Sequence, residues 1–168
     1  MSEVKEQLIK SEEYYLKILK LSYDQAIIKL ATINGKPDFN YFTEGSFNLF
    51  KSDPSRKRIN FTAGYRKRRK EGFHIHHILE NKFENLSSSK KIREKQYRFD
   101  TQLKENLVYV DITEHAILHT LIAKKTKGDL GISASEALIG QISENDNVKF
   151  AMKDILCPLK NHQKESKL

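Results

Sequence analysis

The stretch LVYVDITEHAILHTLIAKKTKG, residues 107–128, constrains the fold of this chain more than any other part of it. Its first four residues are apolar and β-prone, which predicts a short strand over 107–110. Asp111 then stands where a helix N-cap belongs, and Glu114 three residues on completes a capping box. A helix is therefore expected from 112 until the stop signal of Gly128. The rest of the chain has to pack around this strand and helix.

Upstream, residues 3–33 place apolar side chains at helical spacing, with Ser22 and Gln25 as a second capping box, so two helices are expected there. Asn34, Gly35 and Pro37 break that pattern. Five aromatics between Phe39 and Phe50 read as core around a short helix. Residues 72–80, GFHIHHILE, read as a strand. Residues 81–105 have no strand period and read as a long loop or a short helical excursion. Past Gly128, a capped helix is expected near Ser133 or Ser135, and another from 148 up to Pro158, with a frayed tail that carries His162. At 168 residues and 19.6 kDa the chain has the length of one domain with small appendages. The expected order is an N-terminal helical region (1–50), a basic segment (51–71), a central α+β unit (72–127) with an insertion at 81–105, and a C-terminal helical extension (128–168). Residues 22–50 also allow a helix-turn-helix reader with Gly35 in its turn, although a helical layer packed on the central unit is the simpler reading.

Composition narrows the function classes. A hydrophobic share of 38% is low for a packed domain, but Leu, Ile and Phe recur throughout, which excludes wholesale disorder. No apolar run approaches the ~20 residues of a bilayer span, and the N-terminus lacks the basic-then-apolar order of a signal peptide, so a cytoplasmic, intracellular protein without a membrane partner is expected. The single cysteine, Cys157, excludes an internal disulfide and a multi-cysteine zinc site. Any metal must be held by His, Asp, Glu or Asn. The net charge of +8 is concentrated: residues 51–70 hold nine basic side chains against one acid, Asp53. Arg56, Lys57, Arg58, Arg66, Lys67, Arg68, Arg69 and Lys70 suit phosphate oxygens, and Phe61 and Tyr65 among them either stack on bases or anchor the segment to the core. A solvated basic loop is the plainer alternative.

Five of the six histidines fall between positions 74 and 119. His115 and His119 are four apart on the expected helix and project from one face, the spacing by which a helix presents two imidazoles to one ion. His76 and His77 are adjacent on the first strand, where alternation sends neighbours to opposite faces unless the strand ends, bends or bulges. Alternation also pairs His74 with His76, and an inward His74/His76 pair stays open as a second assignment.

The motifs F-H-I-H-H-I-L and E-N-L-V-Y-V-D-I-T-E-H-A-I-L-H resemble the HNH, or ββα-metal (His-Me finger), endonucleases over residues 73–123, about a third of the chain. Asn106 precedes His115 by nine residues, as the corresponding Asn does in the colicin-type DNase branch. The insertion at 81–105 and the absence of visible toxin-delivery domains depart from the colicins and fit a free-standing, phage- or mobile-element-type protein. The resemblance implies a ββα-metal core surrounded by helices, with His76, His115 and His119 ligating one divalent metal ion and His77 as general base. It implies that Asn106 braces the loop and helps orient that base, with His74 as the alternative ligand. Three neutral imidazoles favour Zn, Ni or Mn, whereas Mg prefers oxygen ligands, and the identity stays open among these four. The implied reaction is hydrolysis of DNA, expected to be double-stranded, to 5′-phosphate and 3′-hydroxyl ends, by a monomer or a homodimer. A nucleic-acid-binding protein with a structural His-zinc site and an RNA-cleaving relative are the competing expectations.

Overall fold

The computed structural model describes residues 10–165. In chain order the elements are α1 (Glu12–Leu19), α2 (Tyr23–Asn34), α3 (Glu44–Ser52), β1 (His74–His77), α4 (Ser89–Lys95), β2 (Leu107–Val110), α5 (Ile112–Lys125), α6 (Ile132–Ile139) and α7 (Asp146–Glu165). The fold is α+β: helices surround one two-stranded antiparallel sheet. Both helices expected at the N-terminus form, and the part of the first expected before Lys10 lies outside the described residues. Ser22 and Gln25 make their capping box at the start of α2. No helix among the described residues is long and apolar enough to cross a membrane.

The sheet separates two apolar clusters, and strand alternation decides which side chain joins which. His74 lies opposite Val110 and His76 opposite Val108, while Ile75 lies opposite Tyr109 and His77 opposite Leu107. Val108 and Val110 join the main core, built from α1, α2, α5, α6 and α7 around Ile18, Leu30, Ile117, Leu121 and Met152. Leu107 joins the second cluster, with Tyr41, Phe42, Phe47, Phe50, Ile59 and Ile92, and Ile75 packs against it. Four of the five aromatics between Phe39 and Phe50 thus become core. Phe39, half-buried, lies over Gly64 so closely that a Cβ there would fall 2.3 Å from its ring.

α5 is the axis of the main core and is buried on most of its circumference. Its N-terminus is locked by the expected capping box, in which Asp111 accepts from the Glu114 N–H at 2.8 Å and Glu114 accepts from the Asp111 N–H at 2.8 Å. α2 and α3 lie in different clusters, α2 against β2 and α5 and α3 among the aromatics, so α2 is a layer on the core. The insertion folds into 3-10 turns around the short α4, whose Ile92 is fully buried.

Two helix boundaries differ from the sequence expectation. α6 starts at Ile132, because Gly131 in the left-handed region (φ 88°) serves as its N-cap. α7 continues through Pro158 to Glu165. Proline removes one helix hydrogen bond, but contacts beyond it hold the last turns: Lys160 pairs with Glu136, Leu159 packs on the main core and Gln163 bonds the Gly128 carbonyl.

Gly131 gives this architecture a direct test. A Cβ there would sit 2.4 Å from the His119 carbonyl oxygen and 2.9 Å from the Ala123 nitrogen. The left-handed backbone alone costs an alanine about 1–2 kcal/mol. Gly131→Ala should lower the melting midpoint by roughly 2–8 °C or more, given about 2–4 °C per kcal/mol at this chain length. Thermal unfolding followed by circular dichroism checks it, and an unchanged midpoint would contradict the packing of α6 on α5.

Candidate metal centre and catalytic cleft

His76 on β1 and His115 and His119 on α5 come together. Their candidate ligand atoms all lie within 4.8 Å of one another, and the ring centroids are 5.0–5.3 Å apart. These three residues could hold a metal ion. Two observations bear on the fit. The Nδ1 atoms of His76 and His119 are buried with no hydrogen-bond partner, a costly state for imidazole nitrogens that a metal bond would relieve. All three imidazoles are also held neutral: burial pushes His76 and His115 well below the usual histidine range and His119 down to about 4, and the mutual proximity of the histidines pushes the same way. A neutral imidazole keeps the lone pair that a metal requires.

The tautomer of His76 is fixed from outside the cluster. Tyr23 on α2 has one hydroxyl proton, which it donates to the Ile78 carbonyl at 2.8 Å. The same oxygen lies 2.9 Å from His76 Nε2, so that nitrogen must be the donor and Nδ1 carries the free lone pair. Burial raises the Tyr23 phenol above its ordinary range, keeping this proton in place. Such partners orient metal-binding imidazoles. Tyr23 reads in the sequence only as a core residue of an amphipathic helix.

Glu80 is a second residue that the sequence reading missed. Its Oε2 lies 3.3 Å from His119 Nε2 and 3.7 Å from His76 Nδ1, and its Oε1 accepts the Leu86 N–H at 3.1 Å. The side chain is 9% exposed, and burial pushes its carboxyl up to about 7. It adds a possible oxygen donor to the three nitrogens. The only hint in the sequence is an acid closing the β-prone run GFHIHHILE.

His77 leaves on the other face of β1, at the strand's last residue, with its ring 4.3 Å from that of Tyr41. Its Nε2 lies 3.0 Å from Gln102 Oε1. The Gln102 amide donates to the Leu86 carbonyl and to Thr101 Oγ1, which leaves Oε1 as acceptor and makes His77 Nε2 the donor. The Nδ1 lone pair is then available, and burial keeps the ring neutral by pushing its pKa down to about 4. Asn106 touches none of the histidines by hydrogen bond. Its side chain donates to the Asp100 carbonyl at 2.8 Å, within the 3-10 turn Phe99–Gln102 that carries Gln102. It braces the loop, and Gln102 is the residue that meets His77. His74 shares the His76 face and is half-buried, its Nδ1 3.3 Å from His115 Nδ1.

His74, His77, Glu80, His115 and His119 line one cleft of about 590 Å³, and residues 128–134, which lead into α6, line it as well. Arg68 and Arg69 reach its rim. The basic residues differ in what they are free to do. Arg68 is held by the protein: its guanidinium lies 4.0 Å over Phe73 and 4.8 Å over Tyr109, bonds the Asn34 carbonyl and pairs with Glu71. Arg56 lies 3.8 Å from Asp53 and Lys67 3.5 Å from Asp38. Lys57, Arg58, Arg66, Arg69 and Lys70 are exposed, without a carboxylate partner among the described residues, and Arg69 lies 5.6 Å over the Tyr65 ring. No protein-family model, curated protein or solved structure matches the chain.

The Tyr23 hydroxyl carries a specific expectation. Tyr23→Phe removes the acceptor that orients His76 while keeping the buried ring, and should weaken divalent-metal binding roughly 10- to 100-fold with the fold retained. Competition of the protein against a metal indicator dye measures this, and equal affinity would remove Tyr23 from the centre.

Proposed function

We propose that this chain is a divalent-metal-dependent DNA endonuclease of the HNH, ββα-metal kind. The observation that carries the reading is the pairing of two histidine arrangements on one strand end: a neutral trio around a common point, and beside it a neutral His77 held by Gln102 at the margin of the same cleft. The order β1, β2, α5 around that point supports it.

The protein's own groups divide the work. Gln102 holds His77 Nε2–H, so His77 Nδ1 accepts a proton from the attacking water as its oxygen bonds to phosphorus and the bond from phosphorus to the 3′ oxygen breaks. Tyr23 orients His76, and Asn106 braces the turn on which Gln102 sits. Arg69, at the cleft rim, is placed to pair with a phosphate, and Arg58 and Arg66 extend the positive surface away from it. His76, His115 and His119 would hold a divalent ion, which would supply Lewis acidity for the charge developing on phosphate and on the departing oxygen. That ion would be Mg, Mn, Ni or Zn. A structural zinc site in a nucleic-acid-binding protein would need the trio but not a free base. The open cleft lined by His115 and His119 and the oriented His77 favour catalysis.

Cleavage of supercoiled plasmid at low salt by metal-stripped protein, with each of the four ions added back, tests the proposal. Wild-type protein should cut only with metal, and the band pattern distinguishes a nicking monomer from a dimer that cuts both strands. His77→Ala should lose roughly 10²- to 10⁴-fold in rate, the usual contribution of a general base, at unchanged metal content. If wild type binds plasmid but neither protein cuts it with any ion, the structural-site reading replaces this one, unless an RNA strand is cut in the same assay.

A further inference from the structure

Beside the cleft lies a groove of about 570 Å³ that the hydrolytic reading does not use. Tyr65 and Ser87 line both, so the two hollows adjoin. Phe61 lines the groove and pairs with Phe42 in an isolated antiparallel bridge. The Phe61 ring stacks on Tyr65 at 3.9 Å and 11° and on Phe42 at 5.1 Å and 26°. Phe42 is 2% exposed, but Phe61 is 45% exposed. Arg58 and Arg66 flank it without carboxylate partners among the described residues, and no acid lines the groove. An aromatic ring left half open in a hollow that Arg58 and Arg66 also line suits a nucleobase whose neighbouring phosphates are also bound. The size falls within the ~300–1,000 Å³ typical of pockets for single small ligands.

Base pairing decides which form of DNA can use such a groove. A duplex presents phosphates outward and stacks its bases inside, so only an unpaired base can reach Phe61. We propose that this groove receives an unpaired base of a DNA strand whose adjoining phosphate enters the histidine cleft, with Phe61 packing on the base and Arg58 and Arg66 on flanking phosphates. The position relative to the cut phosphate rests on the endonuclease reading. So does the choice of DNA over RNA; the binding of an unpaired base does not.

The test uses the full chain in excess chelator, so that nothing is cut. The probe is an oligonucleotide of about 12 nucleotides carrying 2-aminopurine, offered single-stranded, paired to its complement, and as RNA of the same sequence. The DNA single strand should bind more tightly than the duplex and the RNA, with its fluorescence quenched. Phe61→Leu, which keeps an apolar side chain, should retain the melting midpoint yet weaken single-strand binding roughly 5- to 150-fold and lose the quench. Arg58→Ala and Arg66→Ala should each reduce the slope of log affinity against log salt by about 0.7. Equal or tighter duplex binding, tighter RNA binding, or an unchanged affinity in Phe61→Leu would overturn the proposal. Because chelator is present, a failure to cut plasmid leaves this result standing, and plasmid cutting without single-strand preference defeats the groove alone.

Discussion

The buried carboxylate of Glu114 is the interaction on which the rest of the structure depends. It has no exposed surface, and a charge in that position costs several kcal/mol unless it is fully partnered. Four groups from four parts of the chain partner it: the Lys10 ammonium, the Tyr14 hydroxyl of α1, the Asn34 amide at the end of α2, and the Asp111 N–H at the start of α5. Asn34 also donates to the Tyr109 carbonyl of β2, and Tyr15 and Lys10 bond Asp111. Burial and the two carboxylates keep both phenols protonated and therefore able to donate. The network sets the rotation of α5 about its axis. His115 follows Glu114 directly, so that rotation also aims His115, and His119 one turn on, at β1.

With α5 fixed, the alternation of β1 distributes the chemistry. Even-numbered positions face α5, which puts His74 and His76 against His115. Odd-numbered positions face the aromatic cluster, which puts His77 against Tyr41 and the Gln102 turn. Adjacent histidines can therefore take different tasks because they face different surroundings. Each donates its Nε2–H, one to a phenol oxygen and one to an amide oxygen, which leaves the lone pair on Nδ1. The strand ends at His77, and the chain turns away at Ile78, which brings the second face within reach of the cleft.

What the sequence discloses follows from how local each signal is. The corner from β2 to α5, both capping boxes and the paired histidines are written in residues three or four apart, and all can be read directly. The partners that decide histidine chemistry are not local. Tyr23 meets His76 across 53 residues and Gln102 meets His77 across 25, and nothing in the spacing of either marks it out from a core tyrosine or a loop glutamine. Glu80 is close in sequence, but its role depends on burial, which a strand pattern does not reveal. The charge window shows the same limit. Its nine basic residues look alike until the fold spends Arg68 on Phe73, Tyr109 and the Asn34 carbonyl and leaves Arg58 and Arg66 without a carboxylate partner among the described residues. Pro158 fails as a stop signal because residues beyond it find tertiary partners.

The cluster concentrates a cost that most of the fold avoids. Among the described residues Asn81 Oδ1 and Arg93 Nε are also buried without a partner, but at the histidine cluster two such atoms, His76 Nδ1 and His119 Nδ1, occur together, beside a carboxylate that burial pushes up to about 7. An unsatisfied buried group costs about 1–3 kcal/mol, and leucine or methionine in these positions would pack without that cost. A chain that locks α5 so firmly gains nothing in stability from then aiming His115 and His119 at His76. A conflict between local satisfaction and global order is what a binding site produces, and it singles out this cluster as the place that could hold an ion. It sits where two faces of one strand, a capped helix and a cleft converge. On that ground the histidines, more than the basic surface, carry the functional assignment, because a solvated lysine or arginine costs the fold little and a buried orphan nitrogen does not.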